Sequence, residues 1–313
     1  MRLVFMGTPE FAVPSLEALV SAGFDVSGVF TRPDKPRGRG LKTLCSPVAE
    51  AAEKAGIPVF KPAGFKDSSA GDTLRSLLPD AVAVVAYGRI LPPAVLGIPR
   101  LGCVNAHASL LPAYRGAAPI QWSVVRGETV TGVTTMHMSS GLDEGDMIYS
   151  EPVEIATFDT AGVLHDRLKL VAARLLARTL SDLGKGTAPR TPQRAELASY
   201  APIIKKEDGY IDWSKTPSEV VNLVRGMNPW PLAYTTIDNV YLRVYEAADA
   251  DTGVSAADGT VLASNPKDGL VIASGGGAVR ILTLQPAGGK VMSASDYLRG
   301  RPFTPGSVAG GKS

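Results

Sequence analysis

The chain has 313 residues, of which 45% are hydrophobic. A chain of this length usually forms more than one hydrophobic core, so we expect two domains. Charged residues make up 20% of the sequence and nearly cancel to a net charge of +2, so bulk charge gives no argument for a nucleic-acid partner. Two cysteines without C-x-x-C spacing and three histidines without ligand spacing argue against a disulfide framework and against a metal site.

No membrane element is predicted. The apolar start, residues 1–6, is shorter than the core of a signal peptide, and no apolar stretch reaches the length of a membrane span. We therefore expect a cytoplasmic protein without a membrane partner, and we expect a monomer.

Strands and helices alternate over the first part of the chain. The expected elements are strands over 3–6, 26–30, 59–60, 81–86, around 104, 133–138 and 147–149, and helices over 11–20, 47–55, 69–78, within 116–126 and over 160–183. The run 81–86 is apolar throughout, as in the central strand of a parallel sheet. This order predicts an α/β domain over 1–189 with a doubly wound, mainly parallel, Rossmann-like sheet.

The amino-acid composition of the sequence changes after residue 183. A polar stretch rich in glycine and proline follows, and we interpret residues 190–207 as a linker. Beyond it come a short helix over 218–226 and alternating segments at 233–237, 241–247, 260–263, 270–273 and 279–284, separated by turn residues. This pattern predicts a small β-barrel (OB-like) domain over 208–313.

A row of polar side chains follows the apolar run at 102–104. Asn105, His107 and Ser109 are spaced by two, so on a strand all three face the same way, and Pro112 then stops the strand. A second polar cluster, 139–146, follows the next strand. Ligands of doubly wound sheets bind at the carboxyl ends of strands, so both clusters are candidate parts of one site.

The residue types favour direct acyl transfer. Asn and His N–H groups can stabilise an oxyanion, and a carboxylate can take a proton from an attacking amine. The cluster at 139–146 holds Asp143, Glu144 and Asp146, and the composition of the loop does not choose among them. The sequence contains no G-x-S-x-G, which argues against a serine hydrolase, and its first β-α turn lacks G-x-G-x-x-G, which argues against a standard dinucleotide site.

One basic run stands out in an otherwise balanced sequence. Residues 31–42 hold five basic side chains and one acidic side chain, with two glycines and two prolines, and we expect no regular structure there. Two interpretations remain open: a solvated flexible loop, or a loop that contacts phosphates and orders on binding.

The chain resembles the 10-formyltetrahydrofolate-dependent formyltransferases. The resemblance rests on Asn105-x-His107-x-Ser109-Leu-Leu-Pro112, on Arg115-Gly116 and on Gly141-Leu-Asp143-x-Gly145-Asp146. Further similarity lies at 7–9, 33–40, 86–92, 116–121, 228–231, 284–288 and 292–294, and it covers almost the whole chain. Within this family, the chain is most similar to members that formylate the methionine of initiator methionyl-tRNA.

The resemblance implies a role for each motif. Asn105 and His107 would hold and polarise the formyl oxygen, and Asp143 would assist proton transfer. The co-substrate 10-formyltetrahydrofolate would be bound, without a metal, by residues of two segments: Gly88, Ile90 and Leu91, with Ser109, Leu110, Leu111 and Pro112. The basic run would contact the tRNA through Arg37, Arg39 and Lys42, and the second domain would bind part of the tRNA.

Two other hypotheses compete with this interpretation. The first is a sugar-nucleotide or purine-pathway formyltransferase acting on a small amine, for which neither the basic run nor the second domain is needed. The second is a non-catalytic nucleotide- or RNA-binding protein in which the Asn/His/Asp set is structural. The acceptor-stem bases that would be read and the tRNA contacts of the second domain are not predicted.

Overall fold

A computed structural model gives the structure of residues 1–37, 42–65, 68–250 and 256–310. In chain order, its strands are β1 (Arg2–Gly7), β2 (Asp25–Phe30), β3 (Lys35–Arg37), β4 (Lys42–Leu44), β5 (Val59–Phe60), β6 (Ala81–Val85), β7 (Cys103–His107), β8 (Arg115–Gly116), β9 (Val130–His137), β10 (Met147–Glu154), β11 (Tyr200–Ala201), β12 (Ala233–Ile237), β13 (Val240–Asp249), β14 (Val261–Asn265), β15 (Gly269–Ser274), β16 (Gly277–Pro286) and β17 (Met292–Ser293).

Six of the eight α-helices match helices expected from the sequence, with small shifts at their ends, whereas those at Pro93–Leu96 and Ala294–Gly300 were not predicted. In chain order they are α1 (Val13–Ser21), α2 (Pro47–Lys54), α3 (Ser69–Ser76), α4 (Pro93–Leu96), α5 (Pro119–Val125), α6 (Ala161–Lys185), α7 (Pro217–Gly226) and α8 (Ala294–Gly300). Short 3-10 helices cover Glu10–Ala12, Ala195–Leu197 and Lys206–Gly209. No helix in the described part of the chain combines the length and the apolar character needed to span a bilayer.

The chain forms two compact units, and each draws on more than one stretch of sequence. Unit 1 comprises Met1–Pro119, Val130–Glu154 and His165–Ala201. Unit 2 comprises Ile120–Thr129, Ile155–Leu164 and Pro202–Ser313.

Unit 1 is built on a sheet with the strand order β10-β9-β7-β6-β1-β2-β5. β1 pairs in parallel with β2 and β6, β2 with β5, and β6 with β7, whereas β9 is antiparallel to both β7 and β10. The prediction of a doubly wound, mainly parallel sheet is confirmed. The chain builds outwards from β1 to β5 and then returns to β6 and β7 on the other side, so the carboxyl ends of β1 and β6 flank the point where strand order reverses.

Apolar runs explain why these strands lie in the middle of the sheet. β6 (Ala81–Val85) is buried along its whole length, and β1 is buried from Leu3 to Met6. Val4, Val82 and Cys103, one from each of three adjacent strands, share a hydrophobic cluster. Burial raises the pKa of the Cys103 thiol to about 12, so this thiol is an inert core group.

The basic run differs from the sequence-based expectation of no regular structure. β3 and β4 form an antiparallel pair in which Arg37 lies opposite Lys42 and Pro36 lies opposite Thr43. A two-stranded hairpin has only edge strands, and an edge strand tolerates the missing N–H of a proline. Arg39 lies outside the described residues.

The segment predicted as a linker, 190–207, also differs in the structure, because residues 190–201 belong to unit 1. Arg190 forms an ion pair with Asp146 at 2.5 Å, and Thr191 forms a β-bridge with Met147. Farther along, Tyr200 pairs with Arg115 between β11 and β8. The polar side chains that suggested a solvated linker are used in contacts with the strand ends and loops of unit 1.

Unit 2 contains an antiparallel sheet with the strand order β12-β13-β16-β15-β14, and β17 pairs with β16. This confirms the prediction of a second domain built from short alternating strands. Its core contains inward-facing residues of the sheet and of the helices α7 and α8, such as Val220, Leu242 and Leu298. A capping box fixes the start of α7, since Thr216 Oγ1 accepts from the Glu219 N–H at 3.3 Å while Glu219 Oε2 accepts from the Thr216 N–H at 3.0 Å.

Candidate active site

β7 carries the first two polar residues of the candidate site. Asn105 lies opposite Met136 of β9 and beside Val84 of β6, and His107 lies opposite Thr134. Their spacing of two places them on the same face of the strand. The expected third member differs: β7 ends at His107, and Ser109 lies in the following turn, where its Oγ donates to the Ala113 carbonyl at 2.7 Å.

His107 is 6% exposed, and both ring nitrogens face oxygen atoms. Nε2 is 2.9 Å from the Tyr114 carbonyl oxygen, and Nδ1 is 3.6 Å from Asp143 Oδ2. A carbonyl oxygen only accepts hydrogen bonds, so Nε2 carries a proton. Any second proton on the ring therefore resides on Nδ1, facing the carboxylate.

The tertiary structure selects Asp143 from the three acidic residues of its loop. The Gly116 N–H donates to Asp143 Oδ2 at 2.9 Å, and the same oxygen faces His107. Glu144 is instead 3.6 Å from the Arg115 guanidinium with a half-exposed side chain, and Asp146 pairs with Arg190. Only one carboxylate of this loop faces the imidazole, and it belongs to Asp143.

Gln193 holds the Asp143 loop in place. Its Nε2 donates to the carbonyl oxygens of Asp143 and Gly145 at 2.8 and 2.7 Å. Its Oε1 accepts from Nε and Nη2 of the buried Arg115 at 3.1 and 2.8 Å. No pattern in the sequence pointed to this role, because Gln193 lies in the stretch that was predicted to be a linker.

The Asn105 side chain is half-buried and makes no hydrogen bond to any other residue that the structure describes. Both of its amide hydrogens are therefore available to a bound molecule. An unpaired amide beside a paired imidazole is an arrangement that can donate to a developing oxyanion.

The turn between β7 and β8 is held by hydrogen bonds. Thr134 Oγ1 donates to the Ser109 carbonyl at 2.8 Å and accepts from the Leu111 N–H at 3.1 Å. Ser109 and Leu111 are buried, whereas Leu110 and Pro112 are half-buried. The part of this turn that solvent reaches is therefore formed by Leu110 and Pro112.

The second segment expected to bind the co-substrate follows β6. Gly88 has a φ of +73°, a conformation that favours glycine. Ile90 is 82% exposed, whereas Leu91 packs into the hydrophobic cluster that contains Cys103. The buried hydroxyl of Tyr87 has no hydrogen-bond partner within the described parts of the chain. Exposed apolar surface at Ile90 thus lies next to a fixed turn.

The only cluster of carboxylate and histidine groups with metal-like spacing among the described residues lies elsewhere in unit 1. It consists of Glu10, His165 and Asp166. The Lys169 ammonium is 2.5 Å from Glu10 and 2.9 Å from Asp166, so this cluster is already paired with a cation. It is distinct from the Asn105, His107 and Asp143 set.

Two family models match the chain. The model described as "Formyl transferase" matches residues 1–180, and the model described as "Formyl transferase, C-terminal domain" matches residues 203–302. The fold and these matches define the class of protein: a formyltransferase, and so an enzyme.

Curated relatives specify the family within that class. A methionyl-tRNA formyltransferase of Pelotomaculum thermopropionicum is 50% identical over 99% of this chain and 99% of its own length. A methionyl-tRNA formyltransferase of Geotalea uraniireducens is 47% identical over 100% of this chain and 99% of its own length. The chain belongs to the methionyl-tRNA formyltransferase family.

Solved structures share the fold. An N-formyltransferase from Helicobacter canadensis, in complex with folinic acid and dTDP-3-aminofucose, matches with a TM-score of 0.65 and 18% identity. The match covers 89% of this chain and 98% of that chain. At this identity the similarity extends to the fold alone.

Proposed function

We propose that the protein transfers the formyl group of 10-formyltetrahydrofolate to the amino group of methionine on initiator methionyl-tRNA. The products would be formylmethionyl-tRNA and tetrahydrofolate. The observation that carries the proposal is the His107–Asp143 pair, at 3.6 Å, together with the unpaired Asn105 amide on the strand that carries His107. The names of the curated relatives support methionyl-tRNA as the acceptor and a formyl group as the group transferred.

Asn105 and His107 would stabilise the negative charge that the formyl oxygen gains as the amine adds. The Asn105 amide supplies N–H donors that no described residue occupies. Because Nε2 of His107 is committed to the Tyr114 carbonyl, Nδ1 is the ring nitrogen that supplies the second donor when protonated. Each such donor contributes on the order of a hundredfold to the rate of acyl transfer.

Asp143 would accept the proton of the attacking amine and would place a negative charge beside the imidazole of His107. Asp143 Oδ2 lies 3.6 Å from Nδ1, so its negative charge faces the ring nitrogen that would donate to the oxyanion. As the new C–N bond forms and the C–N bond to the donor breaks, the amine loses one proton and the leaving nitrogen gains one. Asp143 can accept the first of these protons directly or through water, and no covalent enzyme intermediate is needed.

The co-substrate would lie along the two segments named by the family resemblance. Exposed Ile90 and the glycine turn at Gly88 supply one edge, and half-buried Leu110 and Pro112 supply the other. Leu91, Ser109 and Leu111 are buried, so their side chains would shape this site from behind. The folinic acid bound to the Helicobacter canadensis neighbour is compatible with a folate donor.

The tRNA would be contacted by the β3–β4 hairpin. Its strands place Arg37 opposite Lys42, which concentrates positive charge on one short element. Arg39 belongs to the same proposal by its position between them in the sequence. We also propose that the enzyme is cytoplasmic, in keeping with the free thiols of Cys45 and Cys103. A further proposal is that it acts as a monomer.

The test is formyl transfer from 10-formyltetrahydrofolate to charged initiator tRNA and, separately, to an amino-sugar nucleotide. We expect transfer to the tRNA alone. His107→Asn and Asp143→Asn should each lower turnover by at least a hundredfold, with the fold checked by circular dichroism. His165→Asn, at a half-buried helical site, and Asp72→Asn, at an exposed one, serve as matched controls and should retain turnover.

Two results would contradict the proposal. Transfer to the sugar nucleotide with inert tRNA would keep the Asn/His/Asp chemistry but replace the acceptor. Turnover close to that of the unmodified enzyme in either site variant would remove His107 or Asp143 from the mechanism.

A further inference from the structure

Unit 2 contains a pocket of about 450 Å³ that is separate in sequence from every residue assigned above. All of its lining residues lie between positions 206 and 243. They are Lys206, Pro229, Trp230, Pro231, Leu232, Tyr234, Tyr241 and Arg243. The set combines three aromatic rings with two cations and has no carboxylate.

The aromatic rings present stacking surface. Trp230 is 53% exposed, so its indole ring is accessible to a bound molecule. Tyr234 and Tyr241 lie with their ring centroids 5.3 Å apart and their planes tilted by 30°. On its other side, Tyr234 contacts the edge of Tyr210 at 5.7 Å, so this group of tyrosines is held by mutual packing.

The backbone around Trp230 is fixed before any ligand arrives. Prolines flank Trp230 on both sides, which restricts its backbone. The Asn228 side chain donates to the Tyr245 carbonyl at 3.0 Å, and the Leu232 N–H donates to the Met227 carbonyl at 2.8 Å. An exposed ring on a fixed backbone loses little conformational freedom on binding.

Neither cation of the pocket is neutralised within the described parts of the chain. Lys206 and Arg243 are exposed, and no ion pair or hydrogen bond joins either side chain to another described residue. Several other cations in the described part of the chain have a carboxylate partner, as Arg299 has Asp296. Two unpaired cations beside stacking surface are complementary to a ligand that has both a phosphate and a planar ring.

We propose that this pocket binds one unpaired nucleotide of an RNA, with the base stacked on Trp230 and Tyr241 and the phosphate held by Arg243 and Lys206. The identity of that RNA as the acceptor substrate rests on the proposed function. A peptide would use the aromatic surface but would leave both cations without a phosphate, so RNA is favoured over a protein partner.

The first test measures binding without any formyl donor. Labelled hexa-adenylate is titrated against the full-length protein at low salt, with fluorescence anisotropy as the readout and tryptophan quenching as a second signal. Trp230→Ala should weaken binding by about tenfold, because stacking on an aromatic ring contributes on that scale. Arg243→Gln should weaken binding and reduce the slope of log K against log salt by about one.

Arg280→Gln is the matched control, since Arg280 is an exposed cation on β16 outside the pocket. It should change neither affinity nor salt slope by more than a general charge effect. Unchanged affinity in both Trp230→Ala and Arg243→Gln, or equal losses in Arg280→Gln, would overturn the proposal. Adenosine monophosphate, which has one base and one phosphate, should compete with the hexamer for the pocket, and a failure to compete would also overturn the proposal.

A second measurement separates this proposal from the proposed function. In formyl transfer, Trp230→Ala and Arg243→Gln should raise KM for methionyl-tRNA while KM for the formyl donor stays the same. If KM for the tRNA does not change, the pocket has no role in substrate binding even though the proposed function stands. If the unmodified protein formylates no tRNA but binds hexa-adenylate through Trp230, the pocket stands and the proposed function fails.

Discussion

Gln193 supports the candidate site through its contacts with the Asp143 loop and with Arg115, and none of these contacts involves a reacting group. Its amide joins the carbonyl groups of Asp143 and Gly145 to the buried guanidinium of Arg115. Breaking such a network leaves buried polar groups unpaired on both sides. Gln193 is therefore a positioning residue for the Asp143 carboxylate.

We expect Gln193→Leu to lower kcat by about ten- to a hundredfold, because a shift of about 1 Å in a reacting group costs that much. The same change should lower the free energy of unfolding by about 2–4 kcal/mol, since the Arg115 donors and two carbonyl oxygens lose their partners. Steady-state kinetics and urea unfolding check the two effects.

Gln193→Glu separates positioning from general stability. This variant keeps an acceptor for Arg115 but removes the donors to Asp143 and Gly145. We therefore expect kcat to fall as in Gln193→Leu, with a smaller loss in the free energy of unfolding. Arg194→Ala, at the exposed neighbouring position, is the control. Unchanged kcat in Gln193→Glu would mean that the loop holds Asp143 without this amide.

At this scale, the sequence predicted the site residues whose side chains belong to a motif. It did not predict contacts made by backbone groups. Asn105 and His107 were found by their spacing on a predicted strand. The Tyr114 carbonyl that fixes the protonated nitrogen of His107 could not be found, because main-chain groups leave no compositional trace. Gln193 was missed because a tertiary contact, rather than a local pattern, defines its role.

At the scale of elements, β9 carries His137, and protonation of this histidine is expected to lower the free energy of unfolding. His137 pairs with Val104 of β7, and its N–H donates to the Asp146 carbonyl at 2.9 Å. Burial lowers the pKa of the imidazole from its ordinary value, and Arg190 lowers it further, with Asp146 acting in the opposite direction. The folded protein therefore resists protonation of this ring.

The sign of the pH dependence follows from that shift. The unfolded chain binds the proton with a pKa of about 6.5, above the folded value, so the contribution is fully present above pH 6.5. It is lost as pH falls through the folded pKa. We expect His137→Asn to flatten the fall in the free energy of unfolding between pH 7 and 5, as measured by urea unfolding.

Val133→Ala on the same strand is the control for that experiment. Val133 is buried and does not titrate, so its loss should lower stability by a similar amount at every pH. An equal pH slope in His137→Asn and the unmodified protein would show that His137 is not the source of this dependence.

Elements with strong local signals were predicted well from the sequence. The apolar run at 81–86 and the long amphipathic run at 160–183 correspond to β6 and α6 within two residues. The β3–β4 hairpin and α8 were missed. Two glycines and two prolines interrupt the run at 31–42 and hide any strand pattern, so pairing between the two strands decided the conformation of the hairpin.

At the scale of the whole molecule, the two units do not correspond to two consecutive pieces of chain. Ile120–Thr129 and Ile155–Leu164 belong to unit 2, although both precede the predicted domain boundary. Within unit 2, Arg225 Nη1 donates to the carbonyl of Thr157 at 2.7 Å, and the Gly162 N–H donates to the Asn228 carbonyl at 3.0 Å. Gly226 packs closely against Val125.

We therefore expect a fragment of residues 208–313 to be much less stable than unit 2 in the intact chain, because it loses these partners. Urea unfolding followed by circular dichroism should show a midpoint well below that of the full-length protein, or no cooperative transition. Arg225→Ala in the full chain removes one set of the same contacts and should shift the midpoint in the same direction. A fragment that unfolds cooperatively at the full-length midpoint would show that these segments contribute nothing to unit 2.

The sequence by itself determined the α/β class of the first domain, the antiparallel β character of the second, and the family to which the chain belongs. It could do so because hydrophobic periodicity and the Asn/His/Asp motifs are local in the chain. Only the tertiary structure decided which acidic residue of the 139–146 loop faces His107, that the predicted linker packs on unit 1, and that early segments complete unit 2. These features depend on contacts between residues far apart in sequence, and such contacts leave no periodic or compositional signal.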